Sequence, residues 1–111
     1  MKTSSKSLGT KKKNWTIEFL PSALEDLRYL HVDIGEKTFH GILQEIAELR
    51  EDPTPEGSIH MQRTKNFYRI RVEENHRVIY RVDFGHRRIL VAVIRARGEA
   101  YRGWEKWGRI D

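Results

Sequence analysis

Five side chains in the second half of the chain have the chemistry to act on a phosphate group. They are Arg69, Arg71, Arg77, Arg97 and Tyr101. Arginine stays charged at any physiological pH, and its planar guanidinium binds phosphate oxygens in pairs. Fixed cations stabilise the negative charge that a phosphate gains as it passes between two oxygens. Because an aromatic ring such as that of Tyr101 can stack on an unpaired base, these residue types suit a site that binds and cleaves RNA.

Attack by the RNA's own 2′-hydroxyl is the reaction that such a site suits. It needs no metal ion or other cofactor, and it leaves a 2′,3′-cyclic phosphate or a 3′-phosphate together with a 5′-hydroxyl. The general base is not identified, because arginine rarely gives up a proton. His76, next to Arg77, is a candidate for either proton step unless it only ends a turn. The alternative for each arginine taken alone is an ordinary surface cation.

The residues give no support to other kinds of catalytic or cofactor site. The chain has no cysteine, which excludes disulfides, thiolate metal sites and thiol catalysis. It has no glycine-rich phosphate loop. No two of its five histidines form a close pair at metal-ligand spacing, so we expect no zinc site. The acidic residues of the first half fall mostly on outward helix positions, where a solvated surface is expected rather than a catalytic carboxylate pair.

The arginines lie on stretches with the alternation of half-buried strands. In Phe67–Val72 and Arg77–Val82 apolar and basic residues alternate, so every second side chain falls on the same sheet face. Ile89–Ile94 is apolar throughout, which predicts a strand covered on both faces. Gly85, in the turn before it, is free to adopt positive φ. If the three strands pair antiparallel, the arginines converge on one face and the apolar side chains on the other.

The first half of the chain predicts a short strand followed by two helices. Trp15–Leu20 alternates like a strand, and Ser22 and Glu25 have the spacing of a helix capping box. Apolar residues at helical spacing then continue, with a break at Gly35, to Arg50. Together these elements predict an α+β domain. It contains a mostly antiparallel sheet of about four strands with a helical hairpin packed on one face.

Charge is divided unevenly along the chain, whose formal net charge is +5. Residues 14–62 include three basic and ten acidic residues, whereas residues 63–109 include thirteen basic and five acidic residues. A basic half of this density is typical of proteins that bind a phosphate backbone. The alternative is a strand surface that is simply solvated by arginine.

Residues 1–13 differ from the rest, because they include five lysines, no acidic residue and a single leucine. They cannot bury enough apolar area to fold, so we predict a disordered basic tail at 1–13 and a single domain at 14–111. The sequence shows neither an apolar run of membrane-spanning length nor a secretory signal. With the absence of cysteine, this favours the cytoplasm.

The order of these features resembles the RelE/ParE toxin superfamily. The central hairpin, Phe67–Val72 followed by His76–Val82, carries most of the resemblance, which extends over roughly Trp15–Arg102. Three further features agree with it: the strand followed by Ser-Ala-Leu-Glu-Asp-Leu, the loop Asp52–Gly57, and Arg95-Ala96-Arg97 with Tyr101-Arg102 beyond.

The resemblance implies the toxin of a type II toxin–antitoxin pair, with a cognate antitoxin as its partner. In the RelE-like branch such toxins enter the ribosome and cut mRNA, so the ribosome and mRNA are further expected partners. Arg77 and Arg97 would then stabilise the phosphate, and Arg97 would also serve as the acid. Arg69 and Arg71 would hold the RNA backbone and lower the barrier to attack by the 2′-hydroxyl. Tyr101 would stack on or orient a nucleotide.

This chain departs from the best-known members of that branch in two respects. They carry lysines where it has Arg69 and Arg71, and a longer stretch separates their counterparts of Arg97 and Tyr101. Two other functions remain within the same superfamily. One is the poisoning of DNA gyrase by ParE toxins, which generally lack the full arginine–tyrosine set, and the other is a catalytically inactive RNA-binding domain on the same fold.

Overall fold

A computed structural model describes residues 15–99, which form five strands and two helices. The predicted tail at 1–13, the two ends of the predicted domain at 14–111 and Tyr101 lie outside these residues, so the tail, the domain bounds and the role of Tyr101 stay predictions. The elements are β1 (Thr16–Phe19), α1 (Pro21–Asp33), α2 (Glu36–Ala47) with a 3₁₀ turn (Glu48–Arg50), β2 (Ile59–His60), β3 (Phe67–Val72), β4 (His76–Asp83) and β5 (Arg88–Ala96).

The strands form one sheet in the order β1-β5-β4-β3-β2. Strand β1 is parallel to β5, and the other neighbouring strands are antiparallel. The predicted α+β fold with a mostly antiparallel sheet and two helices is therefore confirmed. The sheet has one strand more than expected, because the two residues of β2 are too few to show an alternating pattern.

The core lies between the helices and one face of the sheet. Ile42 and Ile46 of α2 are fully buried there against Val78, Tyr80 and other side chains of the central strands. Burying each isoleucine contributes about 1.5–3 kcal/mol to the free energy of unfolding. No helix within residues 15–99 is long and apolar enough to cross a membrane.

A β-bulge in β5 changes which side chains face the helices. Ile79 of β4 pairs with Val93 and Tyr80 pairs with Val91, so Ala92 is an extra residue without an opposite partner. Before the bulge, Val91 lies in the core beneath the helices. After it, Val93 joins a second, smaller cluster with Ile79. The unbroken apolar run of β5 therefore serves cores on both sides of the sheet, in agreement with the strand predicted to be covered on both faces.

Helix α1 begins at Pro21, before the Ser22 that was predicted to cap it, so the predicted capping box is wrong. Pro21 occupies the first turn, and no side chain caps the helix at Leu20. Proline suits this position because its fixed φ and missing N–H fit a helix start. The Ser22 hydroxyl instead donates a hydrogen bond of 2.7 Å to the carbonyl of Ala92 in β5. A side chain of α1 thus bonds the edge of β5 just beyond the last residue that pairs with β1.

The turn between β4 and β5 is held by Asp83. Its carboxylate accepts hydrogen bonds from the backbone N–H of His86 at 3.1 Å and from the guanidinium of Arg88 at 3.0 Å. The residue with positive φ in this turn is Arg87, at 55°, so the expectation for Gly85 was wrong. The hydrogen bonds to the Asp83 carboxylate fix the shape of this turn. In that shape the residue with left-handed backbone conformation is Arg87, two positions after Gly85.

We expect Asp83→Asn to lower the thermal midpoint by a few degrees at pH 7 and by less as the pH falls. Hydrogen bonds from Arg88 and His86 lower the pKa of Asp83 from 3.8 to about 2. Because the folded pKa lies below the unfolded value, ionised Asp83 stabilises the fold above about pH 4, and this contribution is lost as the pH falls through about 2. Circular dichroism melts at pH 7, 4 and 2 measure the effect. Asp33→Asn, at the exposed end of α1, is the control, and an equal loss at all three pH values would contradict the assignment.

Candidate active site

Three of the five candidate residues lie on the sheet face opposite the helices. Arg69 and Arg71 alternate along β3 with side chains that pack beneath α1 and α2. Arg77 of β4 is the direct cross-strand partner of Arg71. With Gly57, Ile59 and Ile70, the three arginines line a cleft of about 220 Å³, which we call the arginine cleft. The hairpin register, rather than closeness in sequence, brings them together.

Arg95 extends this row of cations and was not selected from the sequence. The register places Arg71 opposite Arg77 and Arg77 opposite Arg95, so three arginines stand side by side on three strands. Like charges in direct cross-strand pairs repel each other. The nearly buried carboxylate of Asp26 relieves part of this repulsion by accepting a hydrogen bond of 3.1 Å from Arg95. Sequence patterning could not find the pair, because 69 positions separate its members.

Arg77 is held in place by its own turn. Its guanidinium donates hydrogen bonds of 3.1 Å to the carbonyls of Glu74 and His76. Within residues 15–99, no hydrogen bond or ion pair engages the guanidinium of Arg71, which is exposed. The arginine cleft therefore combines one positioned cation with one that is available to an anion.

Arg97 is not among the residues that line the arginine cleft. Arg97 follows β5 directly, and its backbone N–H donates to the carbonyl of Asn75 at 2.8 Å, which places it beside the β3–β4 turn. Its side chain is exposed. Tyr101 lies outside the described residues, so its relation to the cleft stays a prediction.

His76 lies on the other face of the sheet from Arg77. It shares strand parity with Val78, which is buried in the core beneath the helices, and it is itself only 9% exposed. Burial lowers the pKa of His76 below its ordinary value. As a candidate for proton transfer it is therefore misplaced, because alternation along β4 directs its ring away from the arginine cleft.

Acidic side chains border the arginine cleft on its β3 side. Arg71 also lines a neighbouring pocket together with Glu45 and Glu48. It lines another pocket together with Glu73. Glu45 accepts a hydrogen bond of 3.1 Å from the backbone N–H of Glu73. Burial and the nearby Glu73 carboxylate raise the pKa of Glu45. The described part of the chain contains no group of three His, Asp or Glu side chains placed to hold a metal ion.

Solved structures of bacterial and archaeal toxins share this fold. An Escherichia coli RelE mutant in the free state is 18% identical, with a TM-score of 0.67, covering 85% of this chain and 97% of that one. RelE in the RelE–RelB complex of Pyrococcus horikoshii is 17% identical, with a TM-score of 0.59, covering 78% and 99%. The Staphylococcus aureus YoeB–YefM complex gives 26% identity and a TM-score of 0.54, covering 73% and 94%.

Comparison with protein families gives the assignment. None of the curated proteins matches the chain. The family model of the ParE toxin of type II toxin–antitoxin systems matches residues 17–101, which is most of the chain. This chain therefore belongs to that toxin family, within the RelE/ParE superfamily of type II toxin–antitoxin systems.

Proposed function

We propose that this toxin is an endoribonuclease that cuts mRNA on the ribosome and thereby inhibits translation. The observation that carries the proposal is the arginine cleft, in which Arg71 and Arg77 face each other and Arg69 lies one pleat away. An exposed guanidinium beside a positioned one matches the two non-bridging oxygens of a phosphodiester. Arg77 is already held in place before the substrate arrives, so this cation needs little reorganisation as charge develops.

The proposed reaction is transesterification within the RNA. The 2′-oxygen forms a bond to phosphorus, and the bond from phosphorus to the 5′-oxygen breaks. The 2′-hydroxyl gives its proton to solvent water, and the departing 5′-oxygen gains one. Arg77 and Arg97 stabilise the charge on the phosphate, Arg97 supplies the proton to the leaving group, and Arg69 and Arg71 hold the backbone. Tyr101 stacks on or orients a nucleotide.

A cognate antitoxin is the proposed protein partner. The solved relatives include RelE with RelB and YoeB with YefM, each a toxin bound to an antitoxin. We propose that an acidic or amphipathic segment of the antitoxin covers the arginine cleft, because the strand half of the chain carries the excess of basic residues. A gene for such a protein next to the toxin gene is the expected arrangement.

Poisoning of DNA gyrase is the second candidate function. The observation that favours it is the family match itself, because the matching model describes ParE toxins. That activity needs a binding surface rather than an arrangement of cations around a phosphate. The two candidates therefore predict different damage in the cell.

Mapping RNA 5′ ends after brief induction of the toxin separates these functions. We expect new 5′-hydroxyl ends inside codons of translated mRNA, and their loss when translation is blocked before induction. Arg28→Ala, an exposed cation on α1 away from the cleft, is the matched control and should leave the pattern unchanged. DNA damage with intact mRNA would favour the gyrase function, and neither effect would favour an inactive binding domain.

A further inference from the structure

The arginine cleft opens into a second pocket with a different lining. This neighbouring pocket, of about 370 Å³, shares Gly57, Ile70 and Arg71 with the cleft. Its volume falls within the range of about 300–1,000 Å³ that is typical of small-molecule sites. The remaining lining combines apolar surface with carboxylates, from Leu49, Pro55, Glu45, Glu48 and Glu56. A nucleotide whose phosphate lies in the cleft therefore has an adjoining pocket for its base.

The pocket exists because β2 is short. Ile59 pairs with Arg69, and β2 extends no further along β3 in that direction. The carbonyl of Phe67 accepts a hydrogen bond from Met61 on the β2 side, and polar groups of alternate residues point to the same edge of a strand. The backbone N–H and C=O of Arg71 therefore face the pocket without a strand partner. They give it a donor and an acceptor in addition to its carboxylates.

We infer that this pocket binds a guanine base next to the phosphate held by the arginine cleft. Guanine alone among the RNA bases presents two adjacent N–H donors, N1–H and the N2 amino group, beside the O6 acceptor. One carboxylate accepts both donors, as it does from arginine. Glu48 and Glu56 are exposed and available for this role, whereas Glu45 is engaged by the backbone of Glu73. The peptide N–H of Arg71 suits the O6 acceptor.

Charge orients the nucleotide between the two sites. Carboxylates repel a phosphate, so the acidic pocket excludes the charged end of the nucleotide and the arginine cleft attracts it. The ring of the base can lie on the half-buried side chains of Pro55 and Ile70 while its edge meets the carboxylates. The inference rests on the proposed function in placing the phosphate, and it adds the identity of the neighbouring base.

Amide chemical shifts of the labelled full chain test the inference during titration with single nucleotides. The probes are the 3′-monophosphates of guanosine, inosine, adenosine, cytidine and uridine. We expect the guanosine nucleotide to shift the amides of Gly57, Ile70 and Arg71 and to bind about tenfold more tightly than the others. Inosine lacks the N2 amino group, so its weaker binding measures that contact alone.

Substitution of the carboxylates provides the second arm of the test. The double variant Glu48→Gln with Glu56→Gln should lose the preference for guanosine while keeping the affinity for phosphate, and the single variants assign the reading residue. Glu36→Gln, an exposed acid at the start of α2, is the control. Equal binding of all five nucleotides, or a preference that survives the double variant, would overturn the inference. Cleavage without guanine preference would leave the nuclease proposal standing, whereas guanosine-selective binding without cleavage would remove the nuclease proposal alone.

Discussion

Replacing Arg77 with alanine is expected to lower the rate of RNA cleavage by ~10²–10³ and to abolish growth arrest in cells. Arg77 is the cation that the turn carbonyls of Glu74 and His76 hold in place. Its loss removes charge stabilisation at the phosphate where it is needed most, in the transition state. Single-turnover cleavage by the purified toxin on programmed ribosomes, together with colony counts after induction, measures the effect.

Two further variants make this prediction specific. Arg77→Lys keeps the charge but not the paired hydrogen bonds of a guanidinium, so we expect an intermediate rate. Arg97→Ala should detoxify the protein as fully as Arg77→Ala if it serves the same phosphate. All variants should retain the thermal midpoint within a few degrees, because Arg77 is only half-buried and Arg97 is exposed. They should still bind the antitoxin, since each changes a single cation of the basic surface that it covers. If Arg28→Ala detoxified the protein equally well, the activity would depend on general positive charge and not on the arginine cleft.

The second large effect concerns stability, and we expect Asp26→Ala to lower the free energy of unfolding by about 2–3 kcal/mol. Asp26 is 8% exposed, and its side chain accepts a hydrogen bond of 3.0 Å from the backbone N–H of Ile94. It also accepts one from Arg95 at 3.1 Å. Its removal leaves a buried N–H without a partner and frees a guanidinium beside Arg77. Urea denaturation at neutral pH measures the loss.

Asp26→Asn divides this effect into its parts. The amide oxygen can still accept from Ile94, but the negative charge that Arg95 faces is gone, so the expected loss is about half as large. Glu25→Ala, the exposed neighbour on the same helix, is the control and should change stability by no more than about 0.5 kcal/mol. A loss for Asp26→Ala no greater than for this control would show that β5 does not depend on α1 for its edge hydrogen bonds.

The Asp26–Arg95 pair also connects the two halves of the molecule. Helix α1 comes from the acidic part of the sequence and β5 from the basic part. The carboxylate lies at the end of the row formed by Arg71, Arg77 and Arg95, where it balances one of three adjacent positive charges. The acidic and basic halves of the sequence are thus joined by an ion pair within one domain.

The sequence by itself determined the elements that carry the candidate site. Alternation of apolar and basic residues in Phe67–Val72 and the following strand gave the hairpin, because a strand with one buried face requires that period. It placed Arg69 and Arg71 on one face and the core residues on the other, as the structure has them. The α+β class followed from the change of period between the two halves of the chain. These are local properties, because the spacing of apolar residues along a half-buried strand or helix is visible in the sequence of that segment alone.

The tertiary structure decided the register, the bulge and the ends of the short elements. Simple alternation along β5 would put Arg95 on the same face as Val91, beneath the helices. The extra residue Ala92 reverses that alternation, so Arg95 instead stands opposite Arg77. A bulge depends on how two strands and their cores fit together, and an unbroken apolar run such as Ile89–Ile94 does not reveal it. The end of β2 and the pocket beside Arg71 likewise appear only in the folded sheet. Pairing between segments that are distant in sequence creates both of them.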